Sequence, residues 1–285
     1  MQKKEILVTG KKGNISVKIA EWLTERGHAV ETISLRGDAW LQENFQNYSA
    51  VVHVAGIVPK EGVTAEDFYK INTDLTKMLA EKAKKEGVRH FVYVSSMAVY
   101  GRSQHISPKK GVITAATVCE PNSDYGKSKW LAEEALRALE DENFLVTCIR
   151  VPSVYGEGKI EYLEQYRHLN EKFGKVPYVF TKNYKSLIYL GNLCELIHLI
   201  LESQTGGVIC PDDGKYSAAD ICSAISPDMK KSRMLGWLLR IMGFQSGVKR
   251  YFGAIFYDER LTEVFEGKYR MFSLNEAIKI INNEE

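Results

Sequence analysis

Tyr125 and Lys129 stand four residues apart at the head of Trp130-Leu-Ala-Glu-Glu-Ala-Leu-Arg-Ala-Leu139, an apolar-periodic stretch rich in strong helix formers. On a helix that spacing puts a phenol and an ammonium on one face. A phenol with a pKa of about 10 is a poor proton shuttle at neutral pH, and a neighbouring ammonium favours the phenolate. Such a pair can pass a proton to or from an oxygen whose carbon exchanges hydride with a nicotinamide. Spacing alone proves nothing, because 15 Tyr and 38 Lys+Arg in 285 residues produce about two such pairs by chance. Tyr155/Lys159 encloses Gly156 and Gly158, and Tyr178/Lys182 follows Pro177 in a β-rich run, so only Tyr125 opens a helical pattern. A third group must hold the reacting oxygen, and Phe91-Val-Tyr-Val-Ser-Ser96 ends a strand-like run on two hydroxyls.

A second cluster precedes these. Thr9-Gly10-Lys11-Lys12-Gly13-Asn14-Ile15-Ser16 lies between an apolar run and a helical stretch. Glycines there let the backbone turn sharply and approach a pyrophosphate at a helix N-terminus, and Ser16 fills the third glycine position with another small residue. In such units an acid about 20 residues further on binds a ribose 2′-hydroxyl, whereas a nearby Arg accommodates a 2′-phosphate. Here the next strand-like run ends Thr32-Ile33-Ser34-Leu35-Arg36, with no acid at its tip, and Lys11 and Lys12 add positive charge. NADP(H) is therefore favoured over NAD(H), with NAD(H) possible; the alternative is that Arg36 and both lysines only face solvent.

The scaffold that positions these residues is legible as alternation. Apolar runs at 5–9, 29–35, 50–55 and 90–95 are separated by helical stretches at 16–26 and 67–85, and a helix over 127–139 and a strand over 145–150 follow. Strands separated by helices imply right-handed crossovers, and continuous runs such as Ile6-Leu7-Val8 imply strands buried on both faces. The fold class expected is α/β, a Rossmann-like doubly wound parallel sheet with a smaller C-terminal substrate-binding region. The boundaries expected are 1–160 for the NAD(P)-binding domain, with 176–205 returning to it, and 161–285 mainly for the substrate region.

Composition narrows the classes. With 45% apolar and 26% charged residues, the chain is an ordinary globular protein, and a net charge of +2 gives no electrostatic footprint for nucleic acid. No apolar stretch is long enough to span a membrane, and no signal-peptide core follows Met1, so a cytoplasmic protein is expected. Five cysteines without a C-x-x-C spacing read as reduced, buried thiols, and six histidines without an i, i+4 pair suggest no metal. Residues 232–244, flanked by Lys230, Lys231, Arg233 and Arg240, can be read as a membrane-surface helix, but core packing in the substrate region is the favoured expectation.

The order Thr9-Gly10-x-x-Gly13, His53-Val-Ala-Gly56, Ser95-Ser-Met-Ala-Val-Tyr-Gly101, Tyr125-x-x-x-Lys129 and Arg150-Val-Pro-Ser-Val-Tyr-Gly156 resembles the extended short-chain dehydrogenase/reductase family, of the NAD-dependent epimerase/dehydratase type. The resemblance spans essentially the whole chain. Tyr184-Lys-Ser-Leu-Ile-Tyr-Leu-Gly-Asn-Leu-Cys194 and Val248-Lys-Arg-Tyr-Phe-Gly253 further resemble a bacterial branch of polysaccharide biosynthesis containing nucleotide-sugar 4-keto-reductases and 4-epimerases. The resemblance implies Tyr125 as acid/base, Lys129 on the nicotinamide ribose, and Ser96 on the substrate oxygen. It implies Gly10, Lys12, Gly13, Asn14 and Ile15 around the pyrophosphate, Ser34 and Arg36 at the adenosine ribose, Ala55 and Gly56 beside the cofactor, and Asn72 in support. On the substrate side it implies Ser153, where the family often has Asn, Lys185, where it often has Arg, and Arg250. It also implies a homodimer formed through two helices from each subunit.

Two reactions share this machinery. A reductase uses exchangeable NAD(P)H once on a 4-keto (6-deoxy) sugar; a 4-epimerase oxidises and re-reduces with tightly held NAD⁺. The missing acid after the second strand favours the reductase, with the epimerase as the alternative and an idle dinucleotide sensor as a third reading.

Overall fold

The computed structural model describes residues 5–102, 106–157, 162–241 and 246–284, without the side chains of Ser246, Gly247, Arg250 and Glu284. The first half contains β1 (Glu5–Thr9), α1 (Asn14–Glu25), β2 (Val30–Ile33), β3 (Tyr48–His53) and α2 (Ala65–Phe68). A π-helical stretch (Tyr69–Asp74) joins α2 to α3 (Leu75–Lys85), and β4 (His90–Ser96), α4 (Pro108–Gly111), β5 (Val112–Ile113), α5 (Asp124–Leu139) and β6 (Leu145–Val151) follow. The second half contains β7 (Ser153–Tyr155), α6 (Glu164–Phe173), β8 (Val176–Pro177), β9 (Tyr184–Tyr189), α7 (Leu190–Ser203), β10 (Gly207–Ile209) and β11 (Gly214–Ser217). It closes with α8 (Ala218–Ile225), β12 (Lys231–Ser232), α9 (Arg233–Ile241), α10 (Ser246–Phe252), β13 (Phe256–Tyr257), α11 (Glu259–Thr262) and α12 (Leu274–Glu284).

The chain divides into two compact units, one of residues 1–101, 119–151 and 193–210, the other of 102–118, 152–192 and 211–285. The first unit thus ends its main run at 151 rather than 160, takes back 193–210 rather than 176–205, and gives up 102–118.

The first unit is a six-stranded sheet in the order β10-β6-β4-β3-β1-β2, every pairing parallel. Leu7, Val51, Phe91, Tyr93 and Val146 pack on one face with Leu79 and Ala83 of α3 and Ala132 and Leu136 of α5. The alternate strand residues Ile6, Val8, Val52 and Val92 are buried too, as are Ile19 and Leu23 of α1 and Leu193 and Ile197 of α7. Both faces being covered explains the unbroken apolar runs. From β1 the chain first moves outward to β2 and then returns to β3 on the other side, so strand order reverses beside the C-terminal end of β1, where open α/β sheets bind ligands.

At the opposite end of this sheet, α1 stops at Gly27 (φ +85°), whose amide donates to Thr24 O (2.9 Å) while the His28 amide donates to Leu23 O (3.0 Å). That cap fixes His28 with Nε2 2.9 Å from His198 Nδ1 and 3.5 Å from Glu202 Oε1. Chain separation hid this meeting from any spacing rule.

The second unit is built on a three-stranded sheet, β11-β9-β7, with the short pairs β12-β8 and β13-β5. Its core gathers Tyr155, Tyr166, Leu187, Ile221, Phe252 and Ile278. Helix α9 joins that core on one face only, through Leu239 and Leu235. It lies close on Tyr178 through Gly236, where a Cβ would come within 2.6 Å of the Tyr178 carbonyl oxygen, and buries Leu239, but Met234, Trp237, Leu238 and Ile241 are exposed. Met242 to Phe244 lie outside the described residues. Among the described residues no helix is long and apolar enough to cross a membrane.

Candidate active site

The glycine loop follows β1. Gly10 adopts φ +102°, which a side chain would oppose, and its amide donates to Ile33 O at the end of β2 (2.8 Å). A Cβ on Gly13 would lie 2.8 Å from Ser16 Oγ. Ser16 is more than a small residue: its buried hydroxyl donates to the Gly10 carbonyl and approaches the Gly13 carbonyl at 2.9 Å, fixing the loop from inside. Helix α1 starts at Asn14 and Ile15 with no side-chain cap and no acid in its first turn, leaving its N-terminal amides and dipole for an anion. Lys11 and Lys12 are exposed beside it, and Ser34 and Arg36 are exposed just beyond β2, where the Arg36 amide donates to Ser34 Oγ (3.3 Å).

The β3 exit is held by residues to which sequence spacing assigned no role. Thr9 Oγ1 accepts the amides of Val54 and Ala55 (both 3.1 Å) and meets His53 Nδ1 at 2.8 Å, while His53 Nε2 meets Thr76 Oγ1 at 2.9 Å. Burial, then the charge of Lys129, push the His53 pKa down to about 3, so this ring is a neutral strut rather than an acid or base. Asn72 sits in the π-helical stretch, fully buried. Its Oδ1 accepts the Ile57 amide (2.9 Å) and its Nδ2 donates to Ile57 O (3.1 Å) and Ser128 Oγ (3.1 Å). Ser128 Oγ in turn donates to Tyr125 O (2.8 Å), so Asn72 ties the Ala55–Ile57 loop to the first turn of α5. A Cβ on Gly56 would lie 2.9 Å from Asn72 Oδ1 and 3.5 Å from Lys129 Nζ, which places the amine and the amide directly against this loop.

Helix α5 is started by Ser123, whose hydroxyl accepts the Gly126 amide (3.1 Å), and this sets Tyr125 and Lys129 in its first turns. Strand β4 ends on the two serines, and alternation separates their tasks. Ser95 turns inward to Glu133, which also holds Arg150 through Nη2 at 2.7 Å, whereas Ser96 caps the following turn by accepting the Ala98 amide (3.2 Å) and its hydroxyl acts on Tyr125. Ser96, not Ser95, therefore faces the phenol.

One expectation is corrected here. Burial raises the Tyr125 pKa above the ordinary tyrosine value, and the opposing pull comes from the Ser96 hydroxyl, not from Lys129. The amine is on the same helix face but donates to Val94 O (3.0 Å), with Nζ 4.7 Å from the Tyr93 ring centroid. Burial pushes Lys129 down to about 8, against the upward pull of Glu133. A shared helix face did not make the ammonium the group that acidifies the phenol.

Gly10, Gly13, Ile15, Ala55, Gly56, Asn72, Ser96, Tyr125 and Lys129 all belong to the first unit. Its glycine cradle, bare helix N-terminus and Gly56 edge, each a place that a Cβ or a cap would obstruct, fit an extended dinucleotide. In the second unit, Ser153 is exposed on β7 and Lys185 is buried on β9. The Arg250 side chain lies outside the described residues.

Known proteins resemble this chain at both levels. It is 30% identical over 218 residues, 68% of this chain and 65% of the relative, to the UDP-glucose 4-epimerase of Vibrio cholerae. It is 32% identical over 146 residues, 49% of this chain and 41% of the relative, to the N-acetyl-alpha-D-glucosaminyl-diphospho-ditrans,octacis-undecaprenol 4-epimerase of Escherichia coli O157:H7. The chain thus spans less than two thirds of the length of either relative. The fold is shared with the Bordetella bronchiseptica enzyme WbmG in complex with NAD (TM-score 0.71, 19% identity, covering 98% of this chain and 93% of the other). It is shared too with the human epimerase family protein SDR39U1 with NADPH (TM-score 0.75, 18% identity, covering 99% and 100%). The match to the NAD dependent epimerase/dehydratase family covers residues 6–209 of 285, the stretch that carries the glycine loop, Ser96, Tyr125 and Lys129, and the chain belongs to that family.

Proposed function

We propose that this protein interconverts alcohol and ketone at one ring carbon of a sugar carried on a diphosphate, with NAD(P) as hydride carrier, and that its net reaction is 4-epimerisation. The observation carrying this reading is the placement of Ser96 at the end of β4 and Tyr125 in the first turn of α5, with Lys129 one helical turn further on and against the Gly56 edge. When bound, the nicotinamide supplies or accepts the hydride. The chain's residues handle the proton: in the oxidising direction the phenolate of Tyr125 takes the substrate hydroxyl proton, and in the reducing direction the phenol returns it. Ser96 donates to the same substrate oxygen. Lys129 would hold the ribose side of the dinucleotide beside Ala55 and Gly56, the loop that Asn72 braces through Ile57, while Gly10 and Gly13 shape the turn that lets the amides of Asn14 and Ile15 meet its pyrophosphate.

Both relatives named above are 4-epimerases, one acting on a nucleotide-linked and one on a polyprenol-diphosphate-linked sugar, which supports epimerisation of a diphosphate-linked sugar. A second reading, reduction of a 4-keto sugar with exchangeable NADPH, is favoured by Ser34 and Arg36 standing where an acid would bind a 2′-hydroxyl. The test pairs two assays. Sugar inversion at C4, followed by NMR on UDP-glucose and UDP-N-acetylglucosamine with no net change in nicotinamide absorbance, supports the epimerase. Stoichiometric NADPH loss with a nucleotide 4-keto sugar and no inversion replaces it with the reductase, and silence in both removes catalysis altogether.

We also propose the homodimer that the family resemblance implies. Met78 of α3 and Leu131 of α5 are exposed on two helices that pack beside each other, and light scattering that returns a monomer refutes the dimer.

A further inference from the structure

We infer that helix α9 and the adjoining Tyr178 form a docking element for an anionic phospholipid surface. Of the thirteen large hydrophobic side chains exposed among the described residues, five belong to this one place: Tyr178 (43% exposed), Met234 (73%), Trp237 (63%), Leu238 (47%) and Ile241 (59%). Met234, Trp237, Leu238 and Ile241 follow the i, i+3, i+4, i+7 pattern, so they form a single outward stripe rather than scattered exposure. The helix already has its inner face, with Gly236 and Leu239 buried against its own unit, and the outward stripe is surplus to folding. An exposed apolar stripe of this kind marks an interaction site.

Charge indicates which partner. Residues 229–257 contain no Asp or Glu, where the chain's average would place three or four, and contain six Lys or Arg. Lys230, Lys231, Arg233 and Arg240 are all exposed, and the Lys231 amine lies 5.7 Å from the Tyr178 ring centroid. Arg233 and Arg240, two helical turns apart, edge the same side of the stripe, between it and the buried face. An apolar stripe with Trp at its centre and cations along its border matches the headgroup–acyl boundary: aliphatic and indole groups enter, while guanidinium and ammonium groups stay with phosphate. A second copy of the same surface would instead set like charges against each other. This inference does not depend on the reaction proposed above.

The test uses the full chain and vesicles of phosphatidylglycerol with phosphatidylcholine, or of phosphatidylcholine alone, read by co-sedimentation and by Trp fluorescence with brominated lipid. Binding to anionic vesicles that weakens as salt is raised, with quenching of Trp237, is expected. Trp237→Ser with Ile241→Ser should abolish it without lowering the melting temperature, since both side chains are exposed. At about fivefold in partition per basic residue near an anionic surface, Lys230→Gln, Lys231→Gln, Arg233→Gln and Arg240→Gln combined should weaken it by roughly 10²-fold or more. No binding to anionic vesicles overturns the inference, and so does binding that the Trp237/Ile241 pair leaves unchanged. Vesicle-independent self-association that this pair abolishes assigns the face to a second copy and also overturns it.

Discussion

Gly126→Ala sets two opposing effects against each other at the heart of the site. Alanine is the better helix former by about 1 kcal/mol, so propensity alone predicts a more stable protein. The structure predicts the reverse, because a Cβ at Gly126 would lie 2.6 Å from the Ala98 carbonyl oxygen and 3.2 Å from Pro121 Cβ. Reaching ordinary contact requires the start of α5 and the Met97–Tyr100 turn to separate by about 0.8 Å, and the obstacle is backbone, which has no rotamer to yield. Overpacking of this kind costs about 1–3 kcal/mol, which exceeds the propensity gain. The same displacement moves Tyr125, its immediate neighbour, away from Ser96, whose hydroxyl is held by the Ala98 amide. With misplacement by about 1 Å costing on the order of 10²-fold, turnover should fall about 10- to 100-fold. Thermal melting and steady-state turnover of the same preparation read both effects. A melting temperature above wild type, with turnover unchanged, would show that the close approach of α5 to Ala98 does not exist.

Tyr125→Phe should reduce kcat by about 10²–10⁴-fold while dinucleotide affinity, measured by fluorescence titration, stays within about twofold; near-normal turnover removes Tyr125 from proton transfer. Lys129 has its folded pKa lowered from 10.5 to about 8, so below 8 the folded state bears a buried charge that the unfolded chain solvates freely. That cost is relieved as pH rises from 8 to 10.5, and wild type should gain stability relative to Lys129→Met over that window; a constant difference in denaturant midpoints refutes the burial of this amine. Asp213, raised by burial from 3.8 to about 7 while accepting from Tyr155 Oη and Asn192 Nδ2, behaves oppositely. Its unfolded form releases the proton first, so wild type should lose stability relative to Asp213→Asn as pH rises from 3.8 to 7, and a difference independent of pH contradicts its protonated state. Ser34→Asp should shift preference from NADPH toward NADH by about tenfold or more, and an unchanged ratio places the adenosine ribose elsewhere.

The sequence determined the parallel sheet, because strands covered on both faces must be apolar throughout, and Ile6-Leu7-Val8 or Val51-Val52 show this without any partner in view. It also determined where a dinucleotide loop could form and which tyrosine opens a helix, since glycine spacing and helix periodicity are local properties. Tertiary structure decided the rest. Which of two adjacent serines meets Tyr125 depends on strand alternation against Glu133. What Lys129 does with its charge depends on Val94 and Tyr93, 35 and 36 residues upstream, rather than on the neighbour one helical turn away. The Thr9–His53–Thr76 strut joins three elements that no spacing rule relates. The apolar run 232–244 reads as core because composition does not record which side of a helix its own unit already covers; that depends on Gly236 resting on Tyr178 and leaving Trp237 outside. Periodicity fixes what a segment can bury, but only packing settles what it does bury, because the free energy of burial belongs to a pair of surfaces and a single segment contains one of them.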